Sequence, residues 1–230
     1  MWGATPTTLR GMSSISAAPQ VPHLVLAAGL LMCGLANAGR PLTVDDANTD
    51  DAGTGHVEAW YARQPGRANT WTVAPAFSPM DGLELGASTT RDRTAASTSQ
   101  SLQAKWRITP SQEAGCNNAV VLGASQTRRQ SGTTPYINGL LTCNSALGAT
   151  HVNLGAQRAP GGPGVGTWGL AHEREWGPMT FHVEAFGQRL AKPTFQIGAR
   201  KELSPNLQLD ATLGRNNRQK LFSVGLKQSF

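Results

Sequence analysis

From residue 56 onward the chain alternates apolar and polar residues in short runs set off by turn formers. The last run is the fullest case: Phe222, Val224, Leu226 and Phe230 share one parity, while Ser223, Gly225, Lys227 and Ser229 take the other. Only a strand turns successive side chains to opposite faces, so the pattern predicts a strand with one apolar face and one small or charged face. The same period of two recurs in about twelve segments, near 56–63, 70–77, 82–89, 100–108, 118–125, 134–143, 149–157, 166–174, 179–188, 194–201, 206–214 and 219–230. Most run to about 8–10 residues, close to the 9–11 that a tilted bilayer-crossing strand needs. An even number of strands returns the chain to the side on which it started, as a closed antiparallel barrel requires.

The faces agree from segment to segment. One face carries Leu83, Leu85 and Ala87, then Leu102, Ala104 and Trp106, and later Phe181, Val183 and Ala185. The other carries Glu58, Glu84, Lys105, Arg107, His182, Glu184, Arg200, Asp210 and Lys227. A soluble two-sheet sandwich would bury the apolar strings equally well. The aromatics separate the two cases. Tyr61, Trp71, Trp168, Phe195 and Phe222 fall at one end of their strands, and Phe77, Trp106, Phe181 and Phe230 at the other. Two aromatic girdles with aliphatic residues between them suit a wall in lipid, whereas a sandwich sets its aromatics mid-strand. The expectation is an all-β, antiparallel transmembrane barrel of about twelve strands with its charged residues lining the lumen.

Local chemistry refines the layout. Pro75 sits mid-strand, where a ladder donor is lost, so the second strand is expected to bulge or to start later. Val120, Val121 and Leu122 are consecutive and leave the facing of the fifth strand open. Cys116 and Cys143 are symmetric about a loop centred near Arg129, so a simple hairpin sets them opposite one another. That register pairs Val120 with Gly139 and Leu122 with Ile137 on one apolar face and leaves Tyr136, Asn138 and Thr142 facing inward; a disulfide fits it, with two free thiols as the alternative. Short turns at Ser78-Pro79-Met80-Asp81-Gly82, Trp176-Gly177-Pro178 and Leu203-Ser204-Pro205-Asn206 are expected on the periplasmic side, with the longer connections Arg91 to Gln100 and Ala159 to Gly166 outside.

The N-terminus reads as an export signal. Leu24 to Leu31 form an apolar core, and Leu35-Ala36-Asn37-Ala38 ends in a small-x-small cleavage site before Gly39. Met32 precedes Cys33 where a lipoprotein site needs a small residue. The division is then a signal peptide over 1–38, a periplasmic leader over 39–55 and a barrel over 56–230. Cleavage leaves Cys116 and Cys143 in an oxidising compartment. Charged residues are only 15% of the chain, with 26 glycines, against about 25% charged in an ordinary soluble domain. The net charge of +6 is dispersed along the sequence, and no Lys/Arg cluster interleaved with aromatics suggests a nucleic-acid partner.

The terminal strand, ending on Phe230, resembles the closing strand of bacterial outer-membrane barrels, where such an end is the signal to the barrel-assembly machinery. Gln228 departs from that pattern, because an aromatic or aliphatic residue is usual there. The resemblance implies that Phe222, Val224, Leu226 and Phe230 form that signal. Arg40-Pro41-Leu42-Thr43-Val44-Asp45-Asp46-Ala47, leading into Gly55-His56-Val57-Glu58-Ala59-Trp60-Tyr61, resembles the proteobacterial outer-membrane proteins grouped as "MetA-pathway of phenol degradation". So does Glu202-Leu203-Ser204-Pro205-Asn206-Leu207-Gln208-Leu209-Asp210-Ala211. These motifs cover the two ends only. They imply a barrel admitting small solutes, hydrophobic or aromatic ones among them, and no catalytic residues.

Other motifs point to little chemistry. Asp46-Ala47-Asn48-Thr49-Asp50 begins like a calcium loop, but Asp51 stands where glycine is required and Val57 where the bidentate glutamate belongs. A solvated acidic leader without metal is expected instead. Gly161-Gly162-Pro163-Gly164 lacks the Lys-Ser/Thr of a phosphate loop. None of His56, His151, His172 or His182 has a serine two residues on, as barrel phospholipases and deacylases do. The reading is a non-enzymatic outer-membrane barrel, without cofactor, for passive passage of small solutes. Its partners are outer-membrane lipids and the assembly machinery. A structural or adhesive barrel closed by its own ion pairs, and a secreted soluble sandwich, are the alternatives.

Overall fold

The computed structural model describes residues 42–64 and 68–230, so the expected signal peptide and the start of the leader lie outside the described residues. Twelve strands follow in order: β1 Gly55–Gln64, β2 Ala68–Met80, β3 Leu83–Asp92, β4 Ser97–Arg107, β5 Gly115–Thr127, β6 Thr134–Ser145, β7 Gly148–Arg158, β8 Gly164–Trp176, β9 Met179–Gln188, β10 Thr194–Ser204, β11 Leu207–Asn216 and β12 Gln219–Ser229. Each pairs antiparallel with its chain neighbour, and β1 pairs with β12 to close the barrel. Closure leaves no unpaired edge and rules out the two-sheet sandwich. The end holding Gly55 and Ser229 is termed proximal here, and the opposite end distal.

The two faces are inverted relative to a protein in water. Outward Leu102, Trp106, Leu154 and Leu213 are exposed, while inward Glu84, Lys105, Glu184, Arg200 and Asp210 are buried. At roughly 25 cal/mol for each Å² of apolar surface, such an exterior is costly in water and at home in hydrocarbon. Aromatics gather at both ends. Tyr61 packs on Trp71 and Phe222 with ring centroids 5.1 and 5.8 Å apart on the distal side, and Trp176 meets Phe181 at 6.3 Å on the proximal side.

Three local expectations change. Pro75 causes no bulge: it lies within a continuous β2 opposite Val57, and the register shift against β3 falls between Phe77 and Met80, beside Pro79. The long outer connection expected from Arg91 to Gln100 shrinks to residues 93–96, because β3 and β4 stay paired out to Asp92 and Ser97. Among the described connections the longest is 108–114, and it lies at the proximal end. Gly82 and Gly177, in two-residue proximal turns, adopt left-handed φ values of 76° and 60° that favour glycine.

Candidate functional site

Residues 42–50 do not run in solvent. They enter the lumen from the proximal end and fill its proximal half, with Val44, Asp46, Ala47, Asn48 and Thr49 all buried. This corrects the expected solvated leader, and the physical reason lies in the wall. An irregular buried segment has no ladder of its own, so its amides need side-chain acceptors. Glu184 Oε2 accepts from the amides of Thr43 and Val44 at 2.8 and 2.9 Å, Thr142 Oγ1 from Ala47 at 2.9 Å, and Glu84 Oε2 from Asp50 at 3.2 Å. In return Asn153 donates to the Asp45 carbonyl at 2.9 Å, and Lys105 to that of Asn48 at 3.3 Å. Asn48 Oδ1 accepts from both Asn117 and Ser111, the latter in the long proximal connection.

Packing matches the polar contacts. Ala47 is fully buried against Ala119, Val121 and Leu140, which settles the facing of the Val120-Val121-Leu122 run: Val121 points inward because the leader covers it. Gly169 of β8 is where Val44 docks, since a Cβ there would stand 2.7 Å from Val44 Cγ2.

Charges facing the leader are paired across the lumen. Lys105 Nζ lies 2.8 Å from Asp45 and 4.0 Å from Glu84. His56 Nδ1 is 2.6 Å from Asp50 Oδ2. Burial drives the Asp46 carboxyl up to about 7, with Lys105 opposing the rise and Asp45 adding to it. Burial is also the largest influence on Asp50 and pushes it up, but the hydrogen bond with His56 and the charges of His56, Lys227 and Lys105 together outweigh it and hold that carboxyl below its ordinary value.

The expected lumen residues divide by role. Glu84, Lys105 and Glu184 hold the leader. Arg200 reaches Glu173 on β8 at 2.6 Å, and Glu173 Oε1 lies 3.5 Å from His151 Nε2. Arg107, at the proximal end of β4, lies 2.5 Å from Asp81 in the turn between β2 and β3. His182 and Asp210 are buried in the wall, and Glu58 stands opposite Lys227 where β1 meets β12. Phe222, Val224 and Leu226 face outward, while the Phe230 amide donates to Gly55 O at 2.9 Å at the closing seam. Cys116 and Cys143 are paired in register and joined by a disulfide, and Val120 meets Gly139 and Leu122 meets Ile137.

Two arrangements invite chemistry. Thr142, His151 and Glu173 form a hydroxyl–imidazole–carboxylate row, with Thr142 Oγ1 2.9 Å from His151 Nδ1. All three are buried beneath the leader, and the Ala47 amide already donates to the hydroxyl, so no substrate reaches it in this state. Asp50, His56 and Glu84 bring donor atoms within 4.8 Å of one another, a set that could hold a divalent cation. Here each is engaged by the contacts above. The oxygens of the supposed calcium loop do not converge: Asp46 turns back to the Asn48 amide, while Asn48 and Asp50 reach different strands.

The distal half of the lumen is lined differently. Hydroxyls pair across strands, Thr72 with Thr90 at 2.9 Å, Ser88 with Ser101 at 2.7 Å, and Thr212 with Ser223 at 2.7 Å. The Tyr136 ring lies over Gly123, where a Cβ would come within 2.3 Å of it, and its hydroxyl donates to Gln103 at 3.0 Å. Two cavities open here, of about 390 and 360 Å³, sharing Gln157. A further hollow of about 550 Å³ lies on the outer wall among Leu170, Val183, Phe195 and Leu213, where hydrocarbon would fill it.

The family described as "Uncharacterised conserved protein UCP029691" matches residues 26–223 in sequence. The chain belongs to that family. No curated protein matches it in sequence. In three dimensions this family member is similar to the KdgM porin in complex with disordered oligogalacturonate, with a TM-score of 0.64 at 12% identity over 76% of this chain and 99% of that one. It is similar to the NanC porin, with a TM-score of 0.59 at 9% identity over 76% and 98% of the two chains. The COG4313 outer membrane channel from Pseudomonas putida F1 gives 0.56 at 10% identity over 80% and 98%. At these identities the likeness establishes the fold, that of the twelve-stranded outer-membrane barrels.

Proposed function

We propose that the protein is an outer-membrane channel for passive passage of small solutes, closed in its resting state by its own leader. The observation that carries this is the seating of residues 42–50 in the proximal lumen by hydrogen bonds and small apolar contacts, all of them reversible. A purely structural barrel could fill its lumen with wall side chains and would not need a removable segment. The open distal half, lined mainly by hydroxyls and amides, supports the same reading, because it leaves a path as far as the leader.

Two finer points belong to the proposal. The end motifs resemble the phenol-degradation type, which makes hydrophobic or aromatic compounds one class of solute to test. Phe230 and the outward residues of β12 serve as the signal to the assembly machinery, so deleting Phe230 lowers outer-membrane assembly while export continues. The deciding experiment is planar-bilayer recording of the wild type and of a form lacking residues 42–50, with vesicle uptake of phenol and of a neutral sugar alongside. Small or rare currents in the wild type and steady currents in the deletion are expected. No current and no uptake in either form would leave a structural barrel.

A further inference from the structure

The net charge that looks dispersed in the sequence is sorted in space. Five cations stand on the distal ends of strands, Arg63, Arg91, Arg158, Arg215 and Lys220, and six more in the distal connections, Arg93, Arg128, Arg129, Arg189, Lys192 and Arg218. All eleven are exposed. Among the described residues the only acid at this end is Asp92, and its carboxylate accepts from the amides of Thr94 and Ala95. The remaining described acids lie in the leader, in the proximal lumen or on the proximal rim.

Where the strand-end cations point identifies the partner. They share parity with lipid-facing residues: Arg63 follows Tyr61 on β1, Arg91 pairs with Trp71, and Arg215 pairs with Phe195. Arg63 in turn pairs with Phe222, so these cations stand level with the distal girdle aromatics, at the boundary with the headgroups. They face away from the lumen and cannot select solutes inside it. Arg215 stands directly opposite Lys220, with Arg218 in the turn between them. Like charges directly opposite one another destabilise a hairpin, and no ion pair among the described residues relieves this one. An anion lying across the hairpin would.

We propose that the distal rim is a docking surface for the phosphate groups of outer-leaflet lipids, with Arg215, Arg218 and Lys220 as one binding point. The inference takes the outer-membrane setting from the functional reading but does not depend on passage of any solute. Arginine suits the task because its planar fork meets phosphate oxygens two at a time.

The test is lipid binding to the purified, folded barrel, by native mass spectrometry and by capture on nanodiscs. The probes are diphosphoryl lipid A, its dephosphorylated form and inorganic phosphate. Retention of diphosphoryl lipid A, loss of roughly tenfold or more with Arg215→Gln, Arg218→Gln and Lys220→Gln combined, and weakening by salt are expected. Arg174→Gln with Lys201→Gln, at the proximal end, should change nothing. Equal binding of the dephosphorylated lipid, or full binding by the triple variant, would overturn the proposal. So would complete displacement by millimolar phosphate, which would make the site one for free phosphate. The substitutions are exposed and fold normally, as an unchanged gel shift on boiling would verify. A barrel that binds lipid A but passes no solute would refute the channel alone.

Discussion

The proximal and distal halves of this barrel handle charge in opposite ways. In the proximal half the buried charged side chains that face the lumen are paired: Lys105 meets Asp45 and Glu84, Arg200 meets Glu173, and His56 meets Asp50. In the distal half the lumen is lined mainly by hydroxyls and amides, while the cations stand outside on the rim with no ion pair among the described residues. The contrast follows from what each region encloses. Buried charge is tolerated only when paired, and the leader supplies partners to the proximal half alone. The distal half has no such insert, and neutral groups that pair across strands leave it open to water at little cost.

The largest test of that contrast removes the insert. Deleting residues 42–50 should leave Lys105 and Glu184 facing an open lumen and raise the bilayer conductance several-fold, with the distal hydroxyl pairs unchanged. Unchanged conductance would mean that something other than the leader closes the proximal half.

Smaller changes should free the leader without removing it. Lys105→Met strands Asp45 and Glu84 without their cation. Breaking a buried pair costs about 3–5 kcal/mol, and Asp45 is part-exposed, so the lower end applies, roughly a hundred-fold in the docked-to-free ratio. Gly169→Val should act alike by steric means, because its first carbon already meets Val44 at 2.7 Å. A Thr49→Cys reporter reads both: Thr49 is buried and its hydroxyl makes no hydrogen bond. Faster labelling by a maleimide is the expected result. Labelling as slow as in the parent would show that neither contact holds the leader.

Much of the wall was legible in the sequence, because a period of two and two aromatic girdles are local signals. The cysteine register was legible for the same reason, since a hairpin is symmetric. The leader was not. Asp45, Asp46 and Asp50 look like any solvated acidic stretch, and only the wall says otherwise. Its clue was inward Ala119, Val121, Leu140 and Ala171, a patch too apolar for a watery lumen, with Gly169 beside it. The basic rim was missed because its members come from six separate hairpin ends, which only the closed ring brings to one circle.

Acidity should tune the proximal half by a moderate amount. The Asp46 carboxyl is raised from its ordinary 3.8 to about 7 in the docked leader, so docking takes up a proton. That contribution is fully present below about 4 and is lost as pH rises through about 7. Asp50 is shifted the other way, so its contribution is present above its ordinary 3.8 and lost as pH falls through its lowered value. Docking should be firmest in mild acid, and labelling of Thr49→Cys, corrected for thiolate fraction, should quicken between pH 5 and 8. Asp46→Asn should flatten that rise. A rise that persists in Asp46→Asn would assign the titration to another group.

The smallest effect is expected in the distal half, and it serves as the control on everything above. Ser88→Ala with Ser101→Ala removes both partners of a hydroxyl pair at 2.7 Å. Losing both leaves no stranded donor, so the change should stay within about 1 kcal/mol. Because this pair has no contact with the leader, labelling of Thr49→Cys and its pH dependence should match the parent. If the double substitution frees the leader as Lys105→Met does, the two halves are coupled through the wall. The division by charge would then describe where groups sit and not how the barrel opens.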